Sequence, residues 1–176
     1  MELYKKALDL KEFITNVPDY PKKGIQFKDI TTLLANPTAR TRAIQQLSIL
    51  SKGADKIVGL DARGFIFGTP VAENLGISLV LARKPGKLPR ETIDISYDLE
   101  YGSNALSIHK DAIRPGDKVV IIDDLLATGG SALAAKQLIE KLGGEVIKAN
   151  FLIELDGLNG KEKLGGTEVN SLIHYG

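Results

Sequence analysis

The sequence predicts an α/β fold, a mostly parallel twisted sheet flanked by helices, and three observations predict it. Short apolar runs alternate with stretches of helical periodicity from about residue 56 onward. The pattern closes into two strand, helix, strand units, the signature of crossover connections between parallel strands. Within the runs nearly every residue is apolar, as expected where helices cover both faces of a sheet.

Taken in order, Leu3, Ala7, Leu10 and Ile14 recur at helical spacing and predict a short N-terminal helix that Val17, Pro18 and Pro21 break. Asn36 followed by Pro37 marks a helix start, with Ala43, Ile44, Leu47 and Leu50 as its apolar stripe and Gly53 as its stop. The first unit reads KIVGL at 56–60, a helix from about Phe65 to Asn74 closed by Gly76, then SLVLA at 78–82. The second reads KVVIID at 118–123, a helix from Ser131 to Leu142 closed by Gly143 and Gly144, then EVIKANFLI at 145–153. Between the units, Lys84 to Asn104 is the longest stretch without clear periodicity, and a loop of that length in a compact domain is functional or mobile.

Composition narrows the function classes. A chain of 176 residues with 43% hydrophobic and 26% charged residues fits one soluble domain, 1–176. Net charge is only +1, from 23 basic and 22 acidic residues, so no overall field favours nucleic acid or a membrane surface, and neither is expected as a partner. With no cysteine there is no disulfide framework, thiolate metal site or cysteine nucleophile. The N-terminal segment mixes Glu2, Asp9 and Glu12 among its apolar residues, and no 18-residue apolar run occurs, so a cytoplasmic location is expected. His109 and His174 match no ligand spacing and read as structural.

The strongest chemical signal is VVIIDDLLATGGS, Val119 to Ser131. Asp123 and Asp124 end an apolar strand, at the carboxyl edge of the sheet where ligands of open α/β folds bind, and can accept hydrogen bonds from the vicinal hydroxyls of a ribose. Ala127, Thr128, Gly129, Gly130 and Ser131 then form a small-residue loop opening a helix, where inward amides and the helix N-terminus can cradle a phosphate. Alone, an acid pair after a strand is a solvated turn and a GG before a helix a tight connection; together they specify ribose 5-phosphate. Competing motifs are absent: there is no GxxxxGK(S/T), no GxG, no GxSxG and no HExxH.

This motif resembles the phosphoribosyl pyrophosphate (PRPP) loop of the type I phosphoribosyltransferases, and its LLATGG ending resembles the adenine-specific branch. GIQFKDIT, Gly24 to Thr31, is similar to that branch's N-terminal hood, about 15–35; GLDARGFIFG, Gly59 to Gly68, to its pyrophosphate loop; RKPGKLPRET with YDLEYG, Arg83 to Gly102, to its mobile catalytic loop, about 84–104. The resemblance implies the type I fold with a small hood, and transfer of the phosphoribosyl group of PRPP to N9 of adenine, giving AMP and pyrophosphate. It implies PRPP and AMP contacts from Asp123, Asp124, Leu126, Ala127, Thr128, Gly129, Gly130 and Ser131. Pyrophosphate contacts fall to Arg63, Arg83, Lys84 and Lys87, with Arg90 nearby, and Arg63 is also counted as catalytic. Adenine would be held by main-chain groups of Gln26 and Lys28, by Phe27 stacking and by Tyr101, with Glu100 as general acid or base. Mg²⁺ is implied as cofactor, bound mainly through PRPP with water-mediated help from Asp123 or Asp124 and no direct protein ligand. A homodimer and a non-proline cis peptide near Asp61 and Ala62 are further implications. Two departures from the branch, Ser131 where threonine is usual and Ala62 where members vary, remove no needed donor. Two alternatives stay open: an enzyme for xanthine or another oxopurine, against which LLATGG speaks, and a non-catalytic purine-responsive repressor, for whose DNA-binding domain the chain has no spare length.

Overall fold

A computed structural model describes residues 8–98 and 103–176, so Glu100 and Tyr101 lie outside the described residues. The chain forms two compact units, Met1–Gln45 and Gln46–Gly176.

In the first unit, a short 3₁₀ turn at Leu10–Phe13 is capped by the Asp9 carboxylate, which accepts the Lys11 amide at 3.0 Å. The strand β1 (Thr15–Pro18) then pairs antiparallel with β2 (Gln26–Asp29), and α1 (Thr31–Ala35) follows. The helix expected through Ile14 is therefore corrected over its described part: Ile14 is extended because the chain is already entering the β1 pairing. Helix α2 (Pro37–Leu50) starts where expected, with Asn36 Oδ1 accepting the Ala39 amide at 3.0 Å, and its residues Ala39, Ala43 and Leu47 are buried.

The second unit is built on a five-stranded sheet with β3 (Lys56–Leu60), α3 (Gly64–Leu75) and β4 (Ser78–Ala82) as one crossover. A second crossover is β7 (Lys118–Leu126), α4 (Gly130–Lys141) and β8 (Glu145–Leu155), after which β9 (Glu168–Tyr175) closes the sheet. Its order is β4-β3-β7-β8-β9 and every pairing in it is parallel. The core lies between sheet and helices, with Val58, Ile121, Leu138, Ile139 and Phe151 in one buried cluster. The continuous apolar runs of β3 and β7 are thereby explained, since a central parallel strand has no solvent face.

Two differences from expectation bear on the site. Residues 92–98 and 103–104 of the 84–104 stretch belong to an antiparallel pair of strands, β5 (Thr92–Asp98) and β6 (Ser103–His109). Its residues alternate, with Ile93, Ile95 and Tyr97 packed on the core opposite Ile108, Leu106 and Asn104 while Asp94 and Ser96 are exposed. The second difference is that β7 runs on to Leu126. Its pairing with β3 ends at Gly59 opposite Ile122, whereas β8 accompanies it to Glu154. Asp123 and Asp124 thus sit inside a strand, in the portion where β3 no longer flanks it.

Candidate active site

On the flank that β3 leaves open, the turn between β3 and α3 faces the acid pair. Asp61, Ala62 and Arg63 of this turn line a cavity of about 390 Å³ together with Asp123, Asp124, Leu125 and Ser131. The peptide between Asp61 and Ala62 is cis, as the resemblance implied. Arg63 donates from Nε to Asp124 Oδ2 at 2.6 Å, and Arg83 from Nε to Asp61 Oδ2 at 2.9 Å. Two guanidinium groups from different connections therefore meet two carboxylates at one sheet edge.

Asp124 is 5% exposed and pairs with Arg63. The Asp123 carboxyl is pushed well above the usual aspartate range, first by burial and then by the adjacent Asp124 charge. Its Oδ1 accepts the Asp124 amide at 2.8 Å. Helix α3 starts close to this carboxyl: a Cβ added to Gly64, its first residue, would lie 2.7 Å from the Ile122 carbonyl and 3.1 Å from Asp123 Oδ1. Only glycine lets α3 start this close to β7.

Past Leu126 the chain turns through Ala127 and Thr128 into α4, with Gly129 at φ +80°. A smaller hollow of about 90 Å³ is lined by Leu125 through Ala132 and by Phe151. The first amides of α4 have no partner within the helix, and its N-terminal partial positive charge favours an anion there. The Leu126 side chain belongs to the core, so this residue can offer a ligand only its main chain. The turn rests on the segment between β8 and β9: a Cβ on Gly129 would collide with the Gly160 carbonyl, and one on Gly160 with the Ala127 carbonyl. Lys136 holds that segment by donating to the Leu164 carbonyl at 3.0 Å and the Gly165 carbonyl at 3.2 Å.

Of the remaining basic candidates, Lys84 and Lys87 are exposed in the turn after Arg83, whose Nη1 reaches the Lys87 carbonyl at 3.4 Å. Arg90 is engaged elsewhere, in an ion pair with Asp111 and beside His109. His174 Nδ1 lies 2.9 Å from Asp156 Oδ1 and 3.8 Å from Glu154 Oε2, so it shares a cluster with two carboxylates.

In the first unit, Val17, Tyr20, Phe27, Asp29 and Thr31 line a depression of about 270 Å³. Tyr20 and Phe27 meet edge to face with centroids 5.2 Å apart. Gln26 and Lys28 direct their side chains to Asn16, at 2.6 and 2.8 Å. Thr31 supplies amide and hydroxyl donors at 2.8 Å to Asp29, whose carboxyl is lowered mainly by that amide.

Three residues have contacts here that sequence reasoning did not assign. Asp61, singled out only for the cis peptide beside it, accepts the Arg83 Nε donor. Tyr97, whose hydroxyl lies 3.0 Å from Ser131 Oγ, was hidden in a stretch whose alternation TIDISYD was the available signal. Gly160 left no signal, because its importance comes from a backbone approach between segments distant in sequence.

A type I phosphoribosyltransferase is the class that this combination defines: a parallel sheet, an acid pair on its central strand, a glycine turn into a helix and a guanidinium turn beside it. The phosphoribosyl transferase domain model matches residues 29–170, and the chain belongs to that family. It is 52% identical to an adenine phosphoribosyltransferase of Clostridium botulinum over 170 residues, 96% of this chain and 99% of that one. The crystal structure of adenine phosphoribosyltransferase from Thermoanaerobacter pseudethanolicus superposes with a TM-score of 0.91 at 49% identity, covering 94% of this chain and 98% of that one. The Saccharomyces cerevisiae enzyme, crystallised with adenine and an imino-altritol bisphosphate, gives 0.88 at 40% identity over 93% of this chain and 96% of its own. Within its family, then, the chain is similar to the adenine-specific members.

Proposed function

We infer that the chain is an adenine phosphoribosyltransferase, moving the 5-phosphoribosyl group of PRPP to N9 of adenine and releasing pyrophosphate. The single observation that carries the reading is the juxtaposition of Asp123 and Asp124 with Arg63 on one side and the 126–131 turn on the other, inside a chain 52% identical to enzymes of that name.

The residues divide the labour by charge. Amides of 128–131 with the hydroxyls of Thr128 and Ser131 hold the 5-phosphate, and the acid pair receives the ribose hydroxyls. Arg63, Arg83, Lys84 and Lys87 stabilise negative charge as pyrophosphate departs. The purine attacks the opposite face of the anomeric carbon, through a transition state with oxocarbenium character. Glu100 exchanges the purine proton, with Tyr101 beside it. Phe27 stacks on the base while the main chain of Gln26 and Lys28 reads its edge. Tyr20 belongs to the same depression.

Asp123 and Asp124 suit magnesium: hard oxygen donors line the cavity without thiolate or imidazole, and the pairing of Asp124 with Arg63 favours contact through water over direct ligation. When bound, the ion supplies charge neutralisation at the leaving group. A homodimer and a cytoplasmic location belong to the same proposal and rest on the family resemblance; sedimentation at graded concentration tests the first.

Pyrophosphate release from PRPP and Mg²⁺, with adenine, hypoxanthine, guanine and xanthine in turn, tests the function. Adenine alone should support rapid turnover. A faster reaction with an oxopurine would reassign the base, and no release with any base would remove the enzymatic reading.

A further inference from the structure

We propose that Tyr97 is a latch: an anion on the 128–131 turn tightens its bond to Ser131 and so holds the β5–β6 arm in place. The inference rests on the reading of that turn as the phosphate cradle, and it names a positioning residue on another element.

Tyr97 is the penultimate residue of β5, paired with Asn104 of β6, and precedes Glu100 by three positions in sequence. Its ring covers the start of α4: a Cβ on Gly130 would lie 3.4 and 3.6 Å from two of its edge carbons. Its hydroxyl is 3.0 Å from Ser131 Oγ, and Ser131 lines both the phosphate hollow and the larger cavity. The hydrophobic anchorage of the arm is shared by Ile93, Ile95, Leu106, Ile108 and the Tyr97 ring, all packed on the core. For packing alone, phenylalanine would serve at 97. The hydroxyl is the part that needs another explanation.

Proton counting supplies it. A serine hydroxyl has one proton and two lone pairs, and so has a tyrosine hydroxyl as donor and acceptor. With no anion present, either oxygen can donate to the other. Once a phosphate lies on the turn, the Ser131 proton goes to a phosphate oxygen, and the Tyr97 proton must go to Ser131 Oγ. The chain then runs one way, from Tyr97 through Ser131 to the anion, and the charge at its end polarises both bonds. The bond between Tyr97 and Ser131 is therefore stronger with phosphate bound than without. By linkage, an arm docked through Tyr97 raises affinity for the phosphate by the same factor. Occupancy of the sugar-phosphate site is thus communicated to the strand leading into the segment that contains Glu100.

Tyr97→Phe removes only the hydroxyl and keeps the ring over Gly130. Ribose 5-phosphate is the probe, since it presents the phosphate without base or pyrophosphate. Titration of the wild type, Tyr97→Phe, Ser131→Ala and the double variant gives the coupling. We expect Tyr97→Phe to bind about 2- to 10-fold more weakly, the range of one hydrogen bond, to lose kcat at saturating PRPP, and to show no further loss when Ser131 is alanine. Ser131→Thr, which keeps the hydroxyl, should retain the coupling. In hydrogen exchange, ribose 5-phosphate should slow the amides of 92–98 in the wild type and leave them unchanged in Tyr97→Phe. Additive losses in the double variant, or an exchange response that Tyr97→Phe shares with the wild type, overturn the latch. If Ser131→Ala and Gly129→Val both bind ribose 5-phosphate as the wild type does, the cradle itself is wrong; if they lose affinity and Tyr97→Phe does not, the latch alone is wrong.

Discussion

Asp123 illustrates how a single residue carries opposing demands. Its carboxyl is raised well above the ordinary range by burial and by Asp124, so the folded protein binds the proton more tightly than the unfolded chain does. From an unfolded value of about 3.9 upward, the unfolded state binds fewer protons than the native one, and stability falls with rising pH until the native group has also ionised. Asp123→Asn removes this loss. The variant should melt at a higher temperature than the wild type near neutrality, and the gain should vanish in acid, where the wild-type carboxyl is protonated in both states. Calorimetry across pH measures it; a gain that does not depend on pH would refute the cause. Glu100, proposed as the general acid or base, offers a second test. Glu100→Ala should lower kcat by about 10²- to 10⁴-fold, the usual contribution of a general acid or base, while the affinity for PRPP changes little. Steady-state kinetics and direct titration separate the two effects, and an equal loss in both would point to binding.

At the level of elements, the strand, turn and helix from 118 to 141 were legible because their physics is local. An apolar run, paired acids and glycines before a helical stripe each follow from spacing alone. The extension of β7 to Leu126 was not legible, since it depends on β8 continuing alongside after β3 has stopped. The β5–β6 arm was missed although its period of two was written in TIDISYD, because the adjoining basic and proline-rich run made the whole stretch read as loop. Gly160 could not have been found, as its role arises where two distant backbones touch. Gly160→Ala should therefore act on the turn it supports. Overpacking of this kind costs about 1–3 kcal/mol, so affinity for ribose 5-phosphate should drop roughly tenfold or more with far-UV circular dichroism unchanged. Wild-type affinity in this variant would show that the turn does not depend on its support.

On the scale of the whole molecule, the two units carry different parts of the proposed chemistry. Of the residues assigned to the base, Gln26, Phe27 and Lys28 lie in Met1–Gln45 and Tyr101 in Gln46–Gly176, where all those assigned to PRPP also lie. The sequence motifs of both units could be read from the chain, whereas the edge-to-face pair of Tyr20 and Phe27 depends on the β1–β2 hairpin that creates it. The division predicts separable defects. Phe27→Ala should raise KM for adenine by the worth of one stacked base, about 1–3 kcal/mol, with KM for PRPP near the wild-type value. A parallel rise in both constants would contradict the assignment.

The claim on which the rest depends is that the turn from Leu126 to Ser131 receives the sugar phosphate. A crystal structure with AMP tests it most directly. The account predicts the 5-phosphate within hydrogen-bonding distance of the amides of 128–131 and the ribose hydroxyls against Asp123 and Asp124. A nucleotide bound elsewhere, with that turn empty, would contradict it.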